Sequence, residues 1–382
     1  MLRKPTIPAL ALGWAAIAAC GGLAPSTPTS TPTPSASPTA TSTPRPTATA
    51  TPTATATPTE TATATWTATD TPTLTATPAP AGFLYAAAIA VPDNLATAAN
   101  KEGVRAEIRE LKALGINAVG QLFLASSRAA DWLAFLDVCQ EEGIRCFPFF
   151  KEPNEMPTWN GTSWNLGMVG RFATATKDHP ALAAIFILDE PHRHGYTMAQ
   201  VAVLYRQVKE IVGDVPIGLG LSGEVWRAET GQYGSASEQH KFKAGLKVCD
   251  WCLISALEHR IRNEVEVFEE ADLIANQTTS RRVIARECPV CLVISTIQVF
   301  GHGPDSLSSY YMPSPEELQV DVDYLLSSQF QAEKELDGMV WQQWHQQSGS
   351  AGADAASYTL EDPEFSAQRQ IVYDTAARVG VR

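Results

Sequence analysis

The feature that most constrains this chain is an eightfold alternation of apolar, β-rich runs with amphipathic helical stretches between residues 83 and 379. Short apolar runs rich in β-branched residues predict strands, and apolar residues at helical spacing predict helices. Because parallel strands need a crossover connection, this alternation predicts an α/β fold with a parallel sheet. Eight units in order favour a closed (β/α)₈ TIM barrel, and an open doubly wound sheet is the alternative.

Glycine and proline set several boundaries of the predicted elements. Gly115, Gly143 and Gly213 each follow a helical stretch as C-caps, and Ser314 with Pro315 begins the seventh helix. The predicted strands are 83–90, 117–124, 145–150, 183–188, 216–221, 251–257, 290–300 and 338–344. The predicted helices are 101–114, 128–142, 166–177, 198–212, 238–247, 264–285, 315–335 and 363–379.

The N-terminus has the pattern of an export signal. Arg3 and Lys4 precede an apolar stretch over 7–19 that is too short to span a bilayer, so residues 1–19 predict a signal peptide. The stretch ends Ile-Ala-Ala-Cys at 17–20 and resembles a bacterial lipobox. This resemblance implies cleavage before Cys20, attachment of lipid to its thiol and an extracytoplasmic, lipid-anchored location at the bacterial cell membrane. An ordinary signal peptide that contains a cysteine is the alternative.

Residues 23–80 consist almost entirely of Thr, Pro, Ala and Ser. Such a segment cannot bury an apolar core, so nothing offsets the entropy of ordering it. Its prolines favour extended conformations. The sequence therefore predicts three regions: the signal peptide at 1–19, the lipidated cysteine with a disordered Thr/Pro-rich stalk at 20–81, and the barrel domain at 82–382.

Charge and motifs exclude several partners and cofactors. The formal net charge is −13 and the domain has no basic run, which argues against nucleic acid. No glycine-rich phosphate loop or serine elbow is present. His192 and His194 are the closest histidines, whereas His259, His302 and His345 follow three different strands, so a metal site is the weaker hypothesis. We expect a monomer without a cofactor.

Six cysteines of the domain form three close pairs in the sequence. In an exported protein such pairs predict disulfides, although cross-pairing of the last two and a four-thiolate zinc site are alternatives. All precede or begin predicted strands, which places them at the amino end of the barrel, where residues serve stability. The pairs are Cys139 with Cys146, Cys249 with Cys252, and Cys288 with Cys291.

The strongest candidate for chemistry ends the fourth predicted strand. Asp189 and Glu190 directly follow four apolar residues and precede Pro191, where an idle charge would be costly. Barrel enzymes build their sites at the carboxyl ends of the strands. The acid pair resembles barrel glycoside hydrolases, and this resemblance implies Glu190 as general acid and Asp189 as the residue that orients it. Capping of the next helix, or pairing with Arg193, is the alternative.

A glycosidase needs a second carboxylate. In retaining barrel enzymes this is a Glu that ends strand seven, but Gln298 stands there and cannot attack an anomeric carbon. Glu258, at the end of strand six, is the preferred nucleophile or base, and Glu152 and Glu224 are alternatives. Each of these acids could instead form an ion pair at the start of a loop.

Aromatic residues in the predicted carboxyl-end loops favour sugar binding, because flat rings stack on sugar C–H surfaces. On strand eight, alternation puts Trp341 and Gln343 on one face. Packing of the loops on themselves, with Trp341 pointing into the barrel core, is the alternative. The predicted substrate-binding residues are Gln298, Trp341, Gln343, Trp344, Glu152, His259 and Trp226. Trp159, Trp164, Tyr310 and Tyr311 add to the aromatic set.

These patterns together predict a surface-anchored, glycoside hydrolase-like protein that acts on an extracellular polysaccharide or oligosaccharide by carboxylate acid/base chemistry. The missing strand-seven acid makes a non-catalytic, carbohydrate-binding lipoprotein of the cell envelope the main alternative. A structural envelope protein with a vestigial cleft is the third.

Overall fold

The computed structural model describes residues 82–91, 94–95, 97–124, 128–150, 155–221, 223–255, 259–262, 265–301, 311–342, 358–360 and 362–381. All of them belong to one compact unit, Thr67–Arg382. The predicted signal peptide, Cys20 and the whole of the Thr/Pro-rich stalk region, 20–81, lie outside the described residues. None of the described helices combines the length and the apolar character needed to cross a membrane.

Eight parallel strands form one sheet that closes on itself. The strands are β1 Leu84–Val91, β2 Ala118–Leu124, β3 Arg145–Pro148, β4 Ile185–Asp189, β5 Ile217–Leu221, β6 Trp251–Ile254, β7 Leu292–Gln298 and β8 Gly338–Gln342. Their hydrogen-bonded order is β3-β2-β1-β8-β7-β6-β5-β4. The two outer strands of this order meet through parallel bridges from Cys146 to Leu182 and from Phe149 to Phe186. The predicted barrel is thus confirmed, and the open sheet is excluded.

Helices follow the strands around the outside of the barrel. Two helices begin with capping boxes: Thr197 with Gln200 precedes Met198–Val212, and Ser314 with Glu317 precedes Pro315–Leu325, whose first turn carries the predicted proline. The helices are α1 Ala98–Ala113, α2 Ala129–Glu141, α3 Gly167–Thr176, α4 Met198–Val212, α5 Glu224–Glu229, α6 Ser237–His240, α7 Glu270–Glu287, α8 Pro315–Leu325, α9 Ser328–Glu333 and α10 Ser366–Arg378.

Three helical predictions were wrong in detail. The predicted helix 238–247 ends early, because Lys241 is extended and Gly245 has a φ of 84°. The region 264–285, predicted as helical, begins instead within an antiparallel hairpin of His259–Arg262 and Val265–Phe268. The apolar residues of this hairpin alternate as in a strand. The predicted 315–335 is two helices, because Ser327 caps a new one.

Aromatic side chains fill the interior of the barrel. Phe147, Phe149, Phe186 and Trp251 lie with ring centroids 5.2–6.4 Å apart. A Cβ at Gly218 would overlap the ring of Phe186. The barrel is therefore a packed core rather than a pore, and large rings on β3, β4 and β6 require small residues on β2 and β5. Those small residues are Gly120, Gly218 and Gly220.

The other strand faces pack against the helices. Tyr85 of β1 and Trp341 of β8 lie side by side in this outer layer, edge to face with centroids 5.9 Å apart. The Tyr85 hydroxyl donates to the backbone oxygen of Val372 in α10. This hydrogen bond connects the strands where the barrel begins and ends to the final helix.

The amino end of the barrel carries the cysteines. The predicted pairs are at disulfide distance, with Cα atoms 6.3, 6.0 and 5.4 Å apart in chain order. Beside them the buried Asp250 carboxylate binds Lys209 at 3.0 Å and Lys247 at 2.8 Å. It also accepts hydrogen bonds from the Tyr205 hydroxyl and the Ile217 amide. Because each charge is paired or hydrogen-bonded, this end of the barrel serves stability.

A methyl group at position 218 tests the packed interior. We expect Gly218→Ala to lower the free energy of unfolding by about 1–3 kcal/mol, because the Phe186 ring cannot move out of a filled barrel. Gly103→Ala, in an exposed turn of α1 with open space around it, should raise the same quantity by about 0.5–1 kcal/mol. Urea unfolding measures both, and equal effects would contradict a solid barrel.

Alkylation tests the cysteine pairing. In the oxidised, denatured domain without reductant, we expect no iodoacetamide adduct on the six paired cysteines, because each thiol is in a disulfide. Chelation with EDTA should leave the melting temperature unchanged. The zinc alternative predicts the opposite: four alkylated thiols and a melting temperature that falls on chelation.

Candidate active site at the carboxyl ends of the strands

A bulge in β4 directs Asp189 toward the barrel axis. Ile187 and Leu188 both pack in the outer layer, and the register with β5 shifts between Phe186 and Asp189. A Cβ at Gly220 would overlap the Asp189 carboxylate. Asp189 therefore lies just above the aromatic interior, at the carboxyl end of β4, in a space that only a glycine at position 220 leaves open.

Glu190 is held in a strained backbone conformation. Its φ of 40° and ψ of 60° lie in the left-handed region, and among the described non-glycine residues only Asn94 shares a positive φ. Pro191 disfavours the right-handed region for the residue before it. Such strain costs about 1–3 kcal/mol and concentrates at functional sites.

The side chain of Glu190 is held near the barrel wall. The Glu190 side chain is 13% exposed, and its carboxylate pairs with Arg193. The backbone N–H of Glu190 donates to the backbone oxygen of Gly220 at 3.0 Å. It makes no side-chain capping bond to the 3₁₀ turn Pro191–His194. Glu190 therefore does not cap this turn, whereas the pairing with Arg193 does occur.

Basic and aromatic side chains adjoin Glu190. The rings of His192, Tyr233 and His240 lie 5.0–6.4 Å apart, and the charges of Glu190 and Arg227 act on His192. Burial lowers the pKa of His192 to about 4, against an upward effect of Glu190. Burial likewise lowers the pKa of His240. Because His192 is neutral at physiological pH, it can donate or accept a hydrogen bond without adding charge.

Sequence reasoning did not find this histidine–tyrosine cluster. Tyr233 and His240 come from the connection after β5, a region whose elements were predicted wrongly. His192 stood out only for its spacing to His194. Its position directly after the acid pair is the one signal that could have placed it beside Glu190.

Two predicted substrate-binding residues, His259 and Gln298, lie in a buried cluster after β6 and β7. Both side chains have no exposed surface. The Gln298 amide nitrogen donates to the backbone oxygens of His259 at 3.1 Å and Tyr311 at 2.8 Å. The His259 ring bonds to Asp321 of α8 at 2.7 Å. These residues hold loops together, and their direct contact with a sugar stays a prediction.

The described tryptophans divide between packing and the rim. Trp341, one residue before the end of β8, has no exposed surface and packs in the outer layer between strands and helices rather than in the barrel interior, and its contact with a sugar stays a prediction. Trp164 is buried in the loop after β3, where its indole nitrogen donates to Gln200 at 2.8 Å. Trp159 is half-buried in the connection after β3 and Trp226 is half-buried in α5, after β5, so both keep ring surface available for stacking.

Several predicted site residues lie outside the described residues, and their roles stay predictions. The distance from Glu190 to a second carboxylate is therefore not part of the described geometry, and for Glu224 only the backbone is described. The residues concerned are Glu152, Glu258, Gln343 and Trp344, together with His302, Tyr310 and His345 of the wider set.

The described part of this rim offers acid/base groups and hydrogen-bonding side chains. Glu190 and Asp189 can exchange protons, and His192 can bind a polar group. One group of three described residues, Cys249, Cys252 and Cys291, has its ligand atoms close enough to hold a metal, within 4.8 Å of one another, but it lies at the opposite end of the barrel.

Comparison with known proteins gives structural likenesses alone. No family model matches the chain, and no curated protein does. A structure of ScGas2 with compound 8 is 15% identical over 78% of this chain and 64% of that one, with a TM-score of 0.49. The Ruminococcus gnavus β-glucuronidase is 13% identical over 77% of this chain and 50% of the glucuronidase, with a TM-score of 0.49. The β-mannanase of the blue mussel Mytilus edulis is 13% identical over 79% of this chain and 94% of the mannanase, with a TM-score of 0.46.

The matched region spans less than two thirds of ScGas2 and half of the glucuronidase. The barrel itself is established by the strand pairing of this chain and not by these likenesses.

The lowered pKa of His192 predicts a pH dependence of stability. Between pH 6.5 and about 4 the unfolded chain binds a proton at this histidine that the native protein does not bind, so native stability falls as the pH falls through this range. We expect His192→Asn to lose less melting temperature than the parent protein between neutral pH and pH 4.

A second histidine variant supplies the control. His179→Asn removes a ring that lies before β4, at the amino end of the barrel and 3.3 Å from Asp137, and it should keep the parent's fall in melting temperature. If the melting temperatures of the parent protein and of His192→Asn fell in parallel with pH, this result would contradict the burial of a neutral His192.

Proposed function

We propose that this protein is glycoside hydrolase-like, with Glu190 as the general acid and Asp189 as the residue that orients it. One observation carries the proposal: a mostly buried carboxylate, held in a strained conformation, sits at the carboxyl end of β4 above a solid barrel. Barrel enzymes place catalytic groups at this end. Glu258, the first acid after β6, is proposed as nucleophile or base.

The proposed reaction needs two carboxylates with different tasks. Glu190 gives its proton to the glycosidic oxygen as the bond to the anomeric carbon breaks. The second carboxylate either attacks this carbon, forming an ester that water then hydrolyses, or takes a proton from the water that attacks it. Asp189, beside Glu190 and directed inward by the bulge, can bind a sugar hydroxyl or orient the acid. The half-buried ring of Trp226 offers a stacking surface one strand away.

A non-catalytic carbohydrate-binding protein is the second candidate function. Gln298 favours it, because an amide stands where the resemblance implies a carboxylate, and its nitrogen is already bonded to two backbone oxygens. On this reading Asp189, Glu190 and His192 would bind sugar hydroxyls without breaking a bond.

The proposed substrate is an extracellular polysaccharide or oligosaccharide, and the proposed location is the outer face of the bacterial cell membrane. The N-terminal sequence supports this location, because Cys20 ends a lipobox-like segment and the Thr/Pro-rich residues separate it from the barrel. We further propose that the domain is monomeric.

Removal of the acidic proton of Glu190 tests the catalytic proposal. We expect Glu190→Gln to abolish release of reducing sugar from glycans that the parent protein hydrolyses, because the amide cannot protonate the leaving oxygen. Binding of the same glycans should be retained. A glycan array followed by reducing-sugar assays on the bound glycans measures both effects.

Glu335→Gln is the matched control, since Glu335 is exposed just before β8 at the amino end of the barrel. It should change neither binding nor hydrolysis. Unchanged hydrolysis by Glu190→Gln would remove Glu190 from the mechanism. Glycan binding without hydrolysis by the parent protein would favour the non-catalytic function.

A further inference from the structure

The side chain of Arg227 stands at the carboxyl end of the barrel without an acid of its own. It belongs to α5, directly after β5, and Glu190 follows the neighbouring strand β4. Arg227 Nε lies 3.6 Å from where a Cβ at Gly223 would stand, so the side chain folds back toward the end of β5. The residue is half-buried, and no acid in the described part of the chain pairs with its guanidinium.

Arg193 is a second cation near the same histidine. It lies in the 3₁₀ turn Pro191–His194 and pairs with Glu190. Burial is the main cause of the lowered pKa of His192, and the charges of Arg227 and Arg193 add to it. Both guanidinium groups therefore lie within electrostatic range of one ring. Because Arg193 already engages Glu190, Arg227 is the cation that a ligand can pair with without loss of a described ion pair.

The rings around these arginines carry no charge of their own at physiological pH. His192 is neutral there, because burial lowers its pKa to about 4. The His192 and Tyr233 rings lie 5.0 Å apart, and the half-buried Trp226 ring has its centroid 6.0 Å from the guanidinium carbon of Arg227. Flat rings suit the C–H face of a sugar, whereas a cation suits a charged substituent.

Charge decides which substituent fits beside Arg227. A guanidinium keeps its charge in proteins, and a charge that is partly removed from water is costly unless it is paired. A carboxylate or a sulfate can accept two parallel N–H bonds from the planar guanidinium, which a single hydroxyl cannot. Asp189 and Glu190 would repel the same anion. The ligand would therefore direct its anionic group toward α5 and away from β4.

We infer that the ligand of this site is an acidic glycan, whose sugar carries a carboxylate or a sulfate group, and that Arg227 pairs with that group. The identity of the ligand as a glycan rests on the proposed function, since an arginine alone selects only an anion. Arg227 is then a residue that determines specificity, next to the acid that is proposed to act on the bond.

Matched pairs of glycans test the need for charge. The probes are oligosaccharides of galacturonic, glucuronic and mannuronic acid beside their carboxyl-reduced neutral forms, and sulfated galactans beside their desulfated forms. We expect at least one acidic form to bind about tenfold or more tightly than its neutral form, with affinity that falls as salt is added. The pair that shows the preference distinguishes carboxylate from sulfate. Equal or weaker binding of the acidic form in every pair would overturn the inference.

Substitution of Arg227 tests which residue supplies the preference. Arg227→Gln should weaken binding of the acidic form about tenfold and should leave the neutral form within about twofold. Arg227→Lys keeps the charge but not the planar fork, so it should retain part of the preference even if the glutamine variant does not fold. Arg282→Gln is the control, because Arg282 is exposed on α7 and pairs with Glu333, and it should change neither affinity. A preference that survives unchanged in both Arg227 variants would contradict the role of this residue.

Hydrolysis separates this inference from the proposed function. A parent protein that binds acidic glycans through Arg227 but hydrolyses none retains the inference and loses the catalytic function. A parent protein that hydrolyses neutral glycans and shows no preference for acidic forms retains the catalytic function and loses the inference. Absence of binding to every glycan would overturn both.

Discussion

The filled interior of the barrel is the constraint on which the rest of this structure depends. Phe147, Phe149, Phe186 and Trp251 occupy the axis, and glycines on β2 and β5 leave the room that these rings need. Because the axis is closed by packed side chains, no ligand can pass through it and polar groups cannot be placed within it without loss of hydrogen bonds. Chemistry is therefore confined to the two ends. The packing thus explains why acids gather beyond the last aromatic ring of β4.

The same packing accounts for the local geometry of the acid pair. Regular alternation would direct Leu188 toward the axis and Asp189 outward, but the bulge reverses this order, and Gly220 makes space for the carboxylate. Glu190 then turns through the left-handed region before Pro191. A chain that used these residues for stability alone would gain nothing from strain of about 1–3 kcal/mol. The strain is consistent with selection for the direction of the two carboxylates.

The sequence predicted the barrel well because period and order carry that information. The eight alternations of strand and helix patterns are local signals, as are the helix boundaries at Gly213 and Ser314, and the folded chain has its elements where these signals indicate them. The connections after β5 and β6 were predicted less well, because Gly245 and the alternating apolar residues of the hairpin are local signals against a helix that the prediction passed over. The site was predicted only in part for a different reason. Glu190 follows its own strand, whereas the partners of His259 lie 52 and 62 residues away and no local pattern indicates them.

The two ends of the barrel use buried charge in different ways. At the amino end the Asp250 carboxylate binds two lysines, a tyrosine hydroxyl and a backbone amide, so no single proton decides whether it is stabilised. At the carboxyl end the buried Asp321 carboxyl group has one described partner for a hydrogen bond or ion pair, the His259 ring at 2.7 Å. One side chain therefore supports Asp321, whereas four groups support Asp250. The arrangement with fewer partners lies next to the residues to which we assign chemistry.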